Sequence, residues 1–129
     1  MALKDLTIDQ NALQEELIES LVTSYIRYDI NQKLVVFVPE NIRNLTIPRK
    51  IVLYLLALRG WQYFDNSQDI PQDARPKDIA IAVMENGSTI RSYLQVLLKR
   101  GLIQNISGKY SIPPVSIGMI QNYLQNNER

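Results

Sequence analysis

Hydrophobic positions recur along the chain with two periods, and the switches between them mark the elements. From residue 7 to 28 the apolar residues Leu13, Leu17, Ile18, Leu21, Val22, Tyr25 and Ile26 return every three or four positions. That spacing predicts one long amphipathic helix. Thr7 and Gln10 stand at capping-box spacing near its start, and Glu15, Glu16 and Glu19 lie early, where the helix dipole favours acids. Such a helix either closes the core of its own subunit or pairs with a second copy. After a polar connection at 29–33, Lys33 to Pro39 form a short, β-branched, continuously apolar run. It predicts a strand buried on both faces or covered by helices, with Pro39 ending it. An edge this apolar needs a cover, from a later hairpin or from its own twin in a dimer.

Residues 41–46 read as a polar connector. Thr46 followed by Pro48 is a helix start, a cap and then a proline in the first turn. The helix from Pro48 toward Phe64 is apolar on nearly every side between Ile51 and Leu58, the mark of a central core helix. Gly60 either ends it or lets it run on through Trp61, Tyr63 and Phe64. Those aromatics follow a core helix and are not interleaved with basic residues, so packing is expected of them rather than stacking on bases. Residues 65–73 form a polar, acidic loop. Its Asp65, Asp69 and Asp73 lack the alternate spacing and central glycine of a calcium loop and read as solvated charges.

From residue 75 the pattern tightens. Pro76 and Asp78 open a helix whose Ile79, Ala80, Val83 and Met84 are expected to face inward. A second helix follows over 88–100. With Ile90 at zero on a helical wheel, Tyr93, Leu94, Leu97 and Leu98 fall within about 80° of it. Ser88, Arg91, Ser92, Gln95 and Lys99 fall between about 100° and 200°, on the opposite face. Ser88 is the expected N-cap, and Lys99 and Arg100 suit the dipole in the last turn. Residues 102–106 and 109–112 then alternate around Ser107-Gly108, a hairpin signal. Pro113-Pro114 stops the second strand. Ser116 is placed to cap a last helix with Ile117, Ile120, Tyr123 and Leu124 on one face and Met119 beside them. That stripe is either a seal over the domain or a second pairing surface.

Ile79-Ala80, Val83, Ser88-Thr89-Ile90, Leu94, Leu97 and Gly101-Leu102-Ile103 keep one characteristic spacing. In it the segment resembles the winged helix-turn-helix superfamily of transcription regulators. The resemblance implies a mainly α fold with a small β-hairpin wing (α+β). The winged helix-turn-helix core would span 48–115, with an N-terminal helix and strand extension at 1–47 and a C-terminal helix at 116–129. In that superfamily the matching second helix enters the major groove of DNA, and the hairpin touches the flanking backbone or minor groove. Carried onto this chain, Arg91 and Gln95 would read base edges, with Ser88, Ser92, Lys99 and Lys109 holding phosphates and Thr89 beside them. The same polar face also fits the solvated side of any amphipathic helix. Two positions depart from the pattern. Met84 stands where a turn glycine is usual, and Glu85 where a small apolar residue is usual. Gly87 is expected to take over the sharp turn.

Composition narrows the chemistry. The chain has 129 residues, enough for one domain with a real core, and it has neither cysteine nor histidine. Thiolate metal sites, cysteine or Ser–His nucleophiles and a histidine pH switch are therefore absent. No glycine-rich phosphate loop stands out, so neither an enzyme nor a cofactor is expected. The start lacks the basic-then-apolar order of a signal peptide, and the apolar run at 51–58 is far too short for a membrane span. A cytoplasmic protein is expected, nucleoid-associated if it binds DNA. Net charge is only +1, but it is unevenly spread. Residues 1–47 carry four bases and seven acids, 48–85 five and five, and 86–129 five bases against one acid, Glu128. The groove-facing candidates thus lie in the one positive third.

Two functions follow as expectations. The first is sequence-specific binding of double-stranded DNA by a homodimer whose second helices meet half-sites about one turn apart. The second is a winged-helix module that binds a protein partner within a larger assembly. The near-neutral total, the single charge on the hairpin and the apolar extra elements favour the latter.

Overall fold

Thr46 starts the central helix as its sequence predicts, accepting a hydrogen bond from Arg49 N–H at 3.4 Å with proline in the first turn. The structure, a computed structural model, describes residue 3 and residues 10–64 and 70–125. In chain order its elements are α1 (Gln10–Val22), β1 (Ile26–Asp29), β2 (Leu34–Phe37), α2 (Ile47–Arg59), α3 (Pro76–Val83), α4 (Gly87–Lys99), β3 (Gln104–Ile106), β4 (Lys109–Ser111) and α5 (Ile117–Gln125). The class is mixed α+β, with two separate two-stranded antiparallel sheets among the described residues.

α2 is the centre. Ile51, Val52, Leu53, Leu55, Leu56, Ala57 and Leu58 are all buried, so neighbours cover almost its whole circumference. One apolar cluster runs from Ile18 in α1 through α2 to Ile120 in α5. Both terminal stripes therefore face the chain's own core. Ile18, Leu21 and Val22 of α1 are buried, as are Ile117 and Ile120 of α5, with Tyr123 and Leu124 packed against them. Ser116 directly precedes α5, but its hydroxyl donates to the Gly101 carbonyl at 2.8 Å and ties α5 to the end of α4.

The long first helix is shorter than its periodicity predicts. It stops at Val22, and Ile26 to Asp29 form β1 instead. Its expected capping pair includes Thr7, which lies outside the described residues. Asp29 makes the turn that follows. Its Oδ1 accepts from Asn31 N–H and Gln32 N–H, both at 3.0 Å, and Lys33 takes a left-handed conformation (φ 59°). The chain then reverses into β2, in the register Ile26↔Phe37, Arg27↔Val36, Tyr28↔Val35 and Asp29↔Leu34. So β2 joins neither β3 nor β4. Nor is it buried on both faces: Val35 and Phe37 pack on the core, while Leu34 and Val36 are 48% and 43% exposed.

Tyr28 anchors this hairpin to α2. Its hydroxyl donates to the Ala57 carbonyl at 2.6 Å, and its ring packs against Trp61 and Phe64 with centroids 4.9 and 4.7 Å away. Trp61 is buried, which gives the aromatic cluster the packing role expected of it. Gly60 ends α2 and starts a short 3-10 turn through Tyr63. A side chain at Gly60 would collide with the Tyr28 hydroxyl, so the close approach of hairpin and helix needs glycine there.

Candidate nucleic-acid interface

α3 and α4 are joined by the turn Met84–Asn86. α3 opens at Pro76, with the Asp78 carboxylate accepting from Arg75 N–H at 3.4 Å. Ile79, Ala80 and Val83 face the core, but Met84 does not: it is 85% exposed. Met84 also makes the sharp turn itself, at φ 63° and ψ 46°. Gly87, expected to take that role, is simply the first residue of α4. The left-handed turn frees Glu85 N–H to close on the Ala80 carbonyl at 3.0 Å. That bond stops α3 and redirects the chain.

The cap of α4 is Asn86, not Ser88. Asn86 has extended backbone (ψ 159°), and its Oδ1 accepts from Thr89 N–H at 2.8 Å. Asn86 stands three residues before that N–H, the separation a cap needs, whereas Ser88 is already inside the first turn. The Ser88 hydroxyl donates to the same Oδ1 at 2.9 Å and supports the cap from within.

From that start the two faces separate as the wheel predicts. Ile90, Leu94 and Leu97 are fully buried, with Tyr93 and Leu98 half-buried beside them. Ser88, Arg91, Ser92, Gln95 and Lys99 are all exposed, and Thr89 is half-buried at the margin. The Arg91 guanidinium lies back along the helix beside Gly87, where an added Cβ would come within 3.4 Å of it. A residue without a side chain at that position leaves the arginine room at the helix start. Val96, 52% exposed, interrupts the polar face at its edge.

Arg100 has a different use. It caps the C-terminus of α4, and its guanidinium lies over the Tyr123 ring, 4.9 Å from the centroid, with Arg49 at 5.9 Å. Partial burial raises the Tyr123 phenol above its ordinary range, against the lowering pull of Arg100 and Arg49. Arg100 therefore holds α5 against α4. The sequence gives no sign of this, because the two residues meet only through the fold.

The second hairpin follows the predicted turn. Ser107 and Gly108 both have positive φ, 55° and 85°, the pairing that suits a two-residue hairpin. Asn105 Oδ1 accepts from Gly108 N–H at 2.9 Å and fixes the tip. β3 and β4 pair with Ile106 opposite Lys109. Tyr110 is buried and exchanges two backbone bonds with Ala74, at 2.9 and 2.7 Å, which ties the hairpin to the approach to α3. Lys109 is exposed and shares a shallow pocket with Arg75, Lys77, Asp73 and Asp78. Asp73, at the end of the acidic loop, sits beside Lys109. Asp65 and Asp69 lie outside the described residues. Arg75 and Lys77, absent from the sequence candidates, join Lys109 because the Ala74–Tyr110 bridge brings the start of α3 to the hairpin.

Among the described residues no group of three or more acidic, histidine or cysteine side chains could hold a metal ion. No described helix is long and apolar enough to cross a membrane. No family model, no curated protein and no solved structure matches the chain.

Proposed function

We propose that the chain is a winged-helix protein that binds duplex DNA, with α4 in the major groove and the β3–β4 hairpin on the flanking backbone. The observation that carries this reading is the exposed face of α4. Five polar or basic side chains, Ser88, Arg91, Ser92, Gln95 and Lys99, stand outward on one capped helix whose other side is locked into the core. A rigid helix with a bare polar face is what base reading needs, because the groove admits a helix and its base edges present donors and acceptors. Arg91 and Gln95 have the planar groups that bridge guanine and adenine edges. Serines and lysines suit phosphates. Lys109, Arg75 and Lys77 extend the positive surface on the hairpin side, with Asp73 and Asp78 tempering it. In this reading the protein works in the cytoplasm on the nucleoid and is not an enzyme.

The test is fluorescence anisotropy of labelled random duplex DNA titrated at low and then moderate salt. Binding that weakens linearly in the logarithm of salt concentration is expected. On a selected site, Arg91→Ala is expected to cost on the order of 1–3 kcal/mol and to relax preference at one base position. Equal affinity of Arg91→Ala and wild type for both the site and a scrambled duplex would remove Arg91 from the readout.

A second reading is a winged-helix module that binds protein and not DNA. Ile81 and Met84, 77% and 85% exposed on one end of α3, favour it. No DNA binding at low salt, with Arg91→Glu eluting from heparin like wild type, would move the assignment there.

A further inference from the structure

The β1–β2 hairpin leaves one side of β2 unused. Val38 N–H donates to the Tyr25 carbonyl at 2.8 Å, so Tyr25–Val38 is a hydrogen-bonded pair. Antiparallel pairs alternate between bonded and non-bonded. Arg27–Val36 and Asp29–Leu34 are then bonded, and Tyr28–Val35 and Ile26–Phe37 are not. The backbone N–H and C=O groups of Val35 and Phe37 therefore point away from β1, and no other strand among the described residues pairs with them. They face a groove of about 550 Å³ lined by Tyr54 and Leu58 of α2, by Ile81 of α3 and by Met84 in the turn after it. The strand Leu34-Val35-Val36-Phe37 has no charge, proline or bulge to blunt that edge.

We propose that β2 pairs with β2 of a second copy about a two-fold axis, making a four-stranded antiparallel sheet that is the dimer interface. The inference does not rest on DNA binding. What selects a second copy is that the edge complements itself. Centred on Val36, antiparallel pairing sets Val35 against Phe37 of the other chain at two places, using all the outward backbone groups. Val36 meets its own equivalent at a non-bonded pair, where side chains come closest. The flanking charges agree. Lys33 precedes β2 and Glu40 follows it, and both are exposed. In that register Lys33 falls opposite Pro39 of the other chain, next to its Glu40, so opposite charges share each end of the sheet. A parallel pairing would set lysine on lysine. A two-fold perpendicular to the sheet also keeps both cores on one side, so the two α3 helices approach with Ile81 and Met84 between them. The exposed Ile81 and Met84 are thereby covered by their counterparts.

Light scattering across a concentration series tests this. Wild type is expected at twice the 14.9 kDa chain mass. Val36→Glu is the decisive variant. Within its own hairpin the new carboxylate sits opposite Arg27, so the fold gains an opposite-charge pair. Across the two-fold axis two carboxylates meet, and the mass is expected to fall to that of one chain. Mixing Val36→Glu with Val36→Lys should restore the doubled mass. Backbone amide exchange gives a second readout that needs no variant. In wild type the Val35 and Phe37 amides should lose protection on dilution, while those of Leu34 and Val36, bonded to β1, keep it. A chain of single mass at every concentration overturns the proposal, including the case in which the groove takes a segment of a different protein. So does a dimer that Val36→Glu leaves intact.

Discussion

Met84 holds a conformation that costs free energy. Its φ of 63° puts a side-chain-bearing, unbranched residue in the left-handed region, at roughly 1–2 kcal/mol over a helical conformation. Nothing in its burial repays this, because the side chain is 85% exposed. In the single-chain Val36→Glu background, where no second copy covers Met84, Met84→Gly should therefore stabilise the fold by about 0.5–1 kcal/mol, the strain relieved less the extra entropy of an unfolded glycine, read as a raised midpoint in urea. An unchanged or lowered midpoint there would mean that the Met84 side chain packs within its own chain. The position was legible as a departure from the superfamily pattern, but the remedy was not. Gly87 looked like the substitute because glycine is the residue that tolerates positive φ. The chain instead makes the turn at Met84 and keeps Gly87 for the start of α4. Tyr28 carries a second residue-scale prediction. Burial pushes its phenol well above the ordinary value near 10. The unfolded chain then loses this proton near pH 10 while the folded one retains it. Stability is fully present below that pH and falls as pH rises beyond it. Burial raises Tyr54 and Tyr123 in the same direction, so they add to the slope. Thermal melts between pH 9 and about 11.5 should show a falling midpoint, and Tyr28→Phe should flatten part of that fall. Identical slopes for variant and wild type would show that Tyr28 ionises freely in the folded chain.

At the scale of elements, capping and pairing decide where helices begin and where a helical period gives way. Asn86 accepts two hydrogen bonds at the start of α4, from Thr89 N–H and the Ser88 hydroxyl. Asn86→Ala should cost about 1 kcal/mol in chemical denaturation, while Asn86→Asp, which keeps the acceptor and adds charge favoured by the dipole, should cost little. If Ser88→Ala proved the more damaging change, the cap assignment would be reversed. The faces of α4, the all-round burial of α2 and the Ser107-Gly108 turn were legible because each rests on local periodicity or on one residue's backbone freedom. β1 was not. Tyr25 and Ile26 continue the apolar spacing of α1, and a four-residue strand is too short to establish its own period. The helical reading lost to a local turn at Asp29 and to two tertiary terms, the Tyr28 bond to Ala57 and the demand of β2 for a partner. Arg100 over Tyr123 and Lys109 beside Arg75 were hidden for a related reason, since each pair is joined only by chain reversal.

For the whole molecule the deciding quantity is how many basic faces one particle presents. In the DNA-binding reading a net charge of +1 is too small to draw DNA by its long-range field, so phosphate contacts would come from local basic residues, those of the stretch between Asn86 and Asn127, which contains no acid, with Arg75 and Lys77 beside Lys109. For one chain this means few neutralised phosphates and a shallow dependence of affinity on salt. Two chains joined through β2 carry two α4 faces. Binding slopes in the logarithm of salt scale with the number of phosphates contacted, at about 0.9 per contact on duplex DNA. The dimer should therefore show close to twice the slope of the Val36→Glu chain on a long duplex. Val36→Glu itself adds a negative charge, so the comparison needs a control. The mixed Val36→Glu and Val36→Lys dimer supplies it, because its added charges cancel and its slope should match wild type. Equal slopes for the single chain and the mixed dimer would mean that only one α4 can reach DNA at a time. The two-fold sheet would then set the helices at a separation that half-sites on one face of the duplex do not match. A doubled slope would tie the pairing edge of β2 to the reading face of α4, two surfaces from different thirds of the chain, in one DNA-bound particle.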